Sequence, residues 1–183
     1  VFNADISAWH VSNVTTMEGM FYQALDFNQS IGGWDVSKVT DMSLMFSILS
    51  IGTGAFNQPL NEWDVSNVTK MNNIFKGSSF NQPLNEWDVN NVIEMGAMFR
   101  DSYFNQSIND WNVTNVTYMG QMFYNADSFN QPLNNWDVSS VTDMNNMFHG
   151  NDSFNQDISS WDVSSVIDMQ HMFNSQYAFN QDL

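Results

Sequence analysis

Residues 56–79 read FNQPLNEWDVSNVTKMNNIFKGSS, and variants of this string fill the whole chain of 183 residues. The Phe-Asn pair that opens the string recurs eight times, which is a period typical of proteins built from stacked repeats. We therefore expect a single repeat domain over residues 1–183. Its seven repeats and one fragment are 2–26, 27–55, 56–79, 80–103, 104–128, 129–153, 154–178 and 179–183.

Large apolar residues keep fixed positions within the repeat. With the opening Phe as position 0, the seven Trp stand at +7, the 15 Phe at 0 or +19, and the 13 Met at +15 or +18. Burying one aromatic side chain removes ~150 to 250 Å² from water, which stabilises the fold. Rings exposed as a platform for stacking on sugars would lack this stabilisation. The regularity therefore predicts a shared core of Trp, Phe and Met.

Two local patterns predict the elements of each repeat. The segment LNEWDV at 60–65 has the L-x-x-L-x-L spacing of a leucine-rich repeat and alternates apolar with polar residues, as a short strand does. The segment VTKMNNIF at 68–75 has the apolar stripe of a short helix or 3-10 turn. The predicted fold class is α/β: a right-handed leucine-rich-repeat solenoid, with one short parallel strand plus a short helix or 3-10 turn per 24–25-residue repeat.

Composition excludes several classes of function. The chain has 20 acidic and 4 basic side chains, a formal charge of −16 that excludes nucleic acid as a partner. It has no Cys, so disulfides, thiolate zinc sites and cysteine nucleophiles are excluded. No apolar run approaches the roughly 20 residues of a membrane span, so we expect no membrane insertion. The three His occupy different repeat positions without a nucleophile or metal-spaced partner, so we expect no catalytic residue and no cofactor.

The repeat also resembles a known family. Its string FNQ-[PSD]-[LI]-x-x-W-[DN]-V-[ST]-[NS]-V-[TI]-x-M-x-x-M-F is similar to the repeat of the BspA-type leucine-rich repeat surface proteins, in the bacterial subfamily whose repeats read WDVSNVTDMSNMF. The resemblance covers the whole chain. It implies a secreted or surface-anchored protein with a role in adhesion to host or matrix components, and it supplies no catalytic residues.

Acidic side chains at +8 and +6, named here the acidic stripe, should line up on the open face of the predicted sheet. Carboxylates about 4.8 Å apart repel by roughly 3 to 4 kcal/mol at an effective dielectric of 20, so something must offset the repulsion. Hydrogen bonds to turn backbone, calcium and a basic protein partner are three alternatives. The weak calcium candidates are Asp35, Asp64, Asp88, Asp137 and Asp162. The partner-binding candidates are Glu62, Asp64, Glu86, Asp88, Asp110 and Tyr118.

An Asn follows the opening Phe in all eight units. A side-chain amide at this place can bond the turn backbone of its own and of neighbouring repeats, which would otherwise be buried without partners. We expect a structural ladder formed by Asn28, Asn57, Asn81, Asn105, Asn130 and Asn155.

These observations favour an extracellular or cell-surface binding module. It would be an adhesin-type leucine-rich repeat array that contacts a protein or matrix ligand without catalysis. The alternative is a structural subunit or scaffold of an extracellular filament or surface coat, which would self-associate head to tail through uncapped ends.

Overall fold

The computed structural model describes residues 2–50 and 53–182. Hydrogen bonds join equivalent positions of neighbouring repeats along these residues, so each repeat stacks on the one before it. The described residues contain no helix, and their β-structure consists of seven isolated parallel bridges. Six bridges join position +14 of consecutive repeats, from Thr16 and Asp41 to Asp143 and Asp168, and the seventh joins Gly54 to Ser78.

The predicted α/β leucine-rich-repeat solenoid is therefore wrong. That fold needs a strand and a short helix or 3-10 turn in each repeat. In the structure, 60–65 contain no strand and 68–75 contain turn residues with one bridge at Lys70. Each repeat is a succession of turns joined by short irregular segments, without a sheet in the part of the chain that is described.

The segment predicted to be a helix is built from successive tight turns. The N–H of Ile74 donates to the carbonyl of Met71 at 3.3 Å, and that of Ser78 to Phe75 at 3.2 Å. The third residue of each turn is left-handed, with φ 58 at Asn73 and φ 68 at Gly77. A positive φ at this place characterises type II turns and is not compatible with a right-handed helix. Position +17 has a positive φ in all seven repeats: Gly19, Leu44, Asn73, Ala97, Gln121, Asn146 and His171.

The remaining N–H groups of this segment point along the stack. Those of residues 71, 73, 75 and 77 donate at 2.8 to 3.0 Å to the next repeat, to the carbonyls of Glu94, Gly96, Met98 and Arg100. Alternate N–H groups are thus used within the repeat and between repeats, so the backbone is satisfied without a helix. We name positions +13 to +21 the backbone ladder.

The core lies between the backbone ladder and the Trp side of each repeat. The Trp, Phe and Met of residues 27–153 are at most 4% exposed. The Phe at +19 of one repeat stacks on the opening Phe of the next repeat, at 4.0 to 4.1 Å between ring centroids. The predicted burial of Trp is confirmed except at Trp9, which is 54% exposed.

The repeats are narrower on the ladder side. Neighbouring Phe rings at +19 have centroids 5.5 to 5.9 Å apart, whereas the Trp pairs at +7 are 6.4 to 6.5 Å apart. Direct backbone bonds join the repeats on the narrow side, while side chains bridge them on the wide side. The stack therefore presents the backbone ladder on its narrow side.

Candidate functional site

The Asp residues of the acidic stripe at +8 close turns within their own repeats. All five are exposed and accept the N–H of the residue two positions later, for example from Ser66 to Asp64 Oδ1 at 3.1 Å. The hydroxyl and then the N–H of the following Ser lower the pKa of the carboxyl groups at 35, 137 and 162. The five residues are Asp35, Asp64, Asp88, Asp137 and Asp162.

The residues at +6 also lie on the outside, where Glu62, Glu86 and Asp110 are exposed. Glu86 accepts the side-chain amide of Asn85 at 2.6 Å, and Asp110 accepts that of Asn135 at 3.3 Å. Within the described residues, no group of three or more His, Asp or Glu is arranged to hold a metal ion. Hydrogen bonds thus engage the five Asp residues at +8 as well as Glu86 and Asp110, and the calcium candidates form no such group.

The Asn residues at +1 form a continuous chain of hydrogen bonds. From Asn28 to Asn180, each backbone N–H donates at 2.9 to 3.0 Å to the Oδ1 of the Asn in the preceding repeat. Gln residues at +2 add donors, as from Gln106 Nε2 to Asn81 Oδ1 at 3.1 Å. These amides join repeats and are engaged in doing so. The acceptors are Asn3, Asn28, Asn57, Asn81, Asn105, Asn130 and Asn155.

Four positions of the backbone ladder hold side chains that differ from repeat to repeat. Position +14 holds Thr, Asp, Lys, Glu, Tyr, Asp and Asp in turn, while +9 and +12 are always Val and +15 is always Met. Positions +16, +17 and +20 vary in the same way. We name the side chains at +14, +16, +17 and +20 the variable face.

The variable face collects the residue types that recognise other molecules. Tyr and Arg are enriched at the energetic centres of protein interfaces. The acidic stripe, by contrast, offers chiefly carboxylates that already accept local bonds. Three of the 4 basic residues, three of the 5 Tyr and two of the 3 His stand on the variable face: Lys70, Lys76, Arg100, Tyr22, Tyr118, Tyr124, His149 and His171.

At position +20, three of these side chains stack across consecutive repeats. The Arg100 guanidinium lies 4.5 Å from the centroid of the Tyr124 ring, which is parallel to the His149 ring at 4.6 Å. Arg100 Nε donates to Asp101 at 3.1 Å, and its Nη1 donates to Gln121 Oε1. Because fixed partners hold the guanidinium, this part of the face is preorganised.

Sequence reasoning pointed to single Tyr side chains of this face, Tyr118 among the partner-binding candidates with Tyr22 and Tyr124 as further possible ligand contacts, but it did not identify the variable face as one surface. The sequence feature that could have identified this face is the variation of its side chains between repeats, which appears once the repeats are aligned on their opening Phe. The described residues contain no helix long and apolar enough to cross a membrane.

Comparison with known proteins places the chain among repeat proteins. Its sequence matches the family described as "Mycoplasma protein of unknown function, DUF285" over residues 1–77, 49–146 and 101–183. The three overlapping matches together cover the chain, as expected for a repeat protein. No curated protein matches the sequence.

Proposed function

The chain belongs to the DUF285 family, and from that premise we propose that it is a non-catalytic binding module of the cell exterior, which contacts a protein or matrix ligand through its variable face. One observation carries the proposal. The residues that recur in every repeat build the core and the ladders, whereas positions +14, +16, +17 and +20 on the narrow side carry side chains that differ from repeat to repeat.

This division supports binding because it separates stability from recognition. The core and the ladder bonds fix the backbone at each position of the variable face, whichever side chain stands there. Side chains of different chemistry on such a frame form a continuous surface that spans several repeats. Repeat proteins use extended surfaces of this kind to bind macromolecules.

The charge of the chain favours a basic partner. A formal charge of −16 gives a negative potential that attracts cationic surfaces over long range. Attraction of this kind raises the rate of association and weakens as salt is added. We therefore expect the partner to be a protein or matrix component with a basic surface, without calcium as a bridge.

The location is part of the proposal. The resemblance of the repeat string to BspA-type surface repeats supports an extracellular or cell-surface location and an adhesin-type role. The acidic surface and the absence of Cys are compatible with that location.

Surface plasmon resonance against a panel of immobilised matrix proteins and polysaccharides, with and without calcium, tests the proposal. The variable-face variant is Tyr118→Ser with Tyr124→Ser, and the matched control is Asp64→Asn with Asp88→Asn on the acidic stripe. We expect saturable, calcium-independent binding to a basic protein, at least tenfold weaker in the first variant and retained in the control. Circular dichroism checks that both variants are folded.

Two results would contradict the proposal. One is the absence of saturable binding to every protein on the panel. The other is equal affinity of the parent and the variable-face variant, combined with loss of binding in the acidic-stripe variant.

A further inference from the structure

The ring of Tyr118 lies across two glycines of neighbouring repeats. A Cβ added to Gly96 would lie 2.0 Å from Tyr118 Cε1, and one added to Gly120 would lie 2.8 Å from Cε2. Both glycines are buried, while Tyr118 itself is only partly buried. The backbone at these glycines therefore supports the ring, part of which stays exposed.

The glycines occur only where this ring needs room. They stand at +16, where the other five repeats have Glu18, Ser43, Asn72, Asn145 and Gln170. Tyr118 is the one aromatic residue at +14 in the chain. A side chain at either glycine would push the ring from its seat, so sequence and structure agree on a built platform at this rung.

Carboxylates flank the platform. Parallel bridges join Tyr118 to Glu94 on one side and to Asp143 on the other. Glu94 Oε2 accepts the amide of Asn72 at 2.5 Å, and Asp143 Oδ1 accepts that of Asn145 at 2.6 Å. In each of the two carboxylates, a side-chain amide thus holds one oxygen and fixes the orientation of the group.

The surroundings of the ring are negative. Burial first, and then the charges of Asp143 and Glu94, raise the pKa of the Tyr118 hydroxyl. Among the described residues, the ion pair on these rungs joins Lys70 Nζ to Glu94 Oε1 at 4.0 Å, and because both side chains reach the solvent it offsets little of the field.

We propose that Tyr118, Glu94 and Asp143 form a receptor for the cationic side chain of a Lys or Arg on a protein partner. The cation would lie over the exposed part of the Tyr118 ring, where the ring quadrupole attracts it, and between the two carboxylates. This inference rests on the proposed function and adds the chemistry of the contact.

A cation fits this site better than other groups. An anionic group would meet two carboxylates and the −16 charge of the chain. A neutral sugar could stack on the ring but would leave the oriented carboxylates without a charged partner. The glycines under the ring belong to only two neighbouring repeats. A site of this size matches a single side chain of the partner and not a flat surface.

Titration with a hexalysine peptide, followed by NMR shifts of the Tyr118 ring and by calorimetry, tests the receptor. We expect shifts centred on Tyr118 and roughly two- to thirtyfold weaker binding by Tyr118→Leu, from a cation–π contribution of about 0.5 to 2 kcal/mol. Glu94→Gln with Asp143→Asn should weaken binding more than Asp64→Asn with Asp88→Asn. The two double variants remove the same charge, so position alone separates them.

A second pair of variants keeps the test independent of folding. Tyr118→Phe retains the ring and should bind hexalysine like the parent. Gly96→Ala displaces the ring and should bind hexalysine like Tyr118→Leu. Unchanged NMR shifts of the amides in the backbone ladder would show that this variant is folded.

Equal affinity of Tyr118→Leu and the parent would overturn the receptor, as would equal losses in the two charge variants. If hexalysine does not bind while a protein of the matrix panel still does, the receptor alone is overturned. If both fail, the proposed function is overturned as well.

Discussion

The indole N–H of Trp87 donates to the carbonyl oxygen of Leu60, 2.8 Å away in the preceding repeat. Both residues are buried, with exposures of 3% and 0%. The side chain that fills the core of one repeat therefore also satisfies a buried carbonyl of another. The same bond recurs at the other five Trp from Trp34 to Trp161.

Removing such a side chain should destabilise the stack. We expect Trp87→Ala to lower the free energy of unfolding by at least about 3 kcal/mol, because it leaves a cavity and an unpaired carbonyl. Denaturant unfolding measures the change. Trp9→Ala is the matched control, since Trp9 is 54% exposed and should matter far less. Equal small losses in both variants would contradict this account of the core.

The Asn ladder predicts a difference between two adjacent residues. Asn81 Oδ1 accepts the N–H of Asn105 at 2.9 Å and the amide of Gln106 at 3.1 Å. Asn81→Ala should therefore cost about 1 to 3 kcal/mol by leaving backbone without a partner. Gln82→Ala should cost much less, because Gln82 accepts no N–H of the ladder. Thermal melting of the two variants compares them, and equal losses would remove the distinction.

Backbone handedness at Asn73 separates turns from the predicted helix. Its φ of 58 is left-handed, a conformation that costs Ala roughly 1 to 2 kcal/mol more than Gly. Asn73→Gly should accordingly be more stable than Asn73→Ala, and both variants lose the same amide. In a helix the order would reverse, since Ala is favoured over Gly by about 1 kcal/mol. Denaturant unfolding of this pair therefore tests the fold.

Acid should weaken the turns that Asp residues close. In the unfolded chain, Asp35, Asp137 and Asp162 lose the Ser hydrogen bonds that lower their pKa. A carboxyl group with a lowered folded pKa stabilises the fold above its unfolded pKa of about 3.9 and loses that contribution as pH falls through the folded value.

The triple Asn variant at these positions isolates the effect. We expect the parent to lose more unfolding free energy than the variant as pH falls below about 4. Denaturant titrations at several pH values give the slope of unfolding free energy against pH for the parent and for the variant. The change that both proteins share reports the relief of charge repulsion. Identical slopes would show that these bonds do not contribute.

Which residues are buried could be predicted from the sequence, but their secondary structure could not. Position alone placed Trp87 and its equivalents in the core. The apolar residues of segment 68–75 have the spacing of a helix. The same spacing also suits tight turns in which every second N–H group bonds the next repeat. Nothing in the sequence marks the left-handed position, because +17 holds Leu44 and Ala97 as readily as Gly19.

The candidate site was harder to predict for a related reason. The acidic stripe stands out in sequence because it recurs, but recurrence here reflects turns that need an acceptor, as in Ser66 to Asp64. The variable face does not recur, and so a search for motifs passes over it. Tyr118 was one of the partner-binding candidates, while its seat on Gly96 and Gly120 depends on contacts between repeats.

Hydroxyl-radical footprinting of the Tyr side chains tests the central claim, that the variable face is the binding surface. The measurement compares the free chain with the chain bound to its partner from the matrix panel. Tyr103 and Tyr177, exposed at 51% and 86% and lying outside the variable face, are internal controls. We predict that oxidation of Tyr118 and Tyr124 falls severalfold on binding while the controls do not change. Protection of Tyr103 and Tyr177, with Tyr118 and Tyr124 unaffected, would contradict the account.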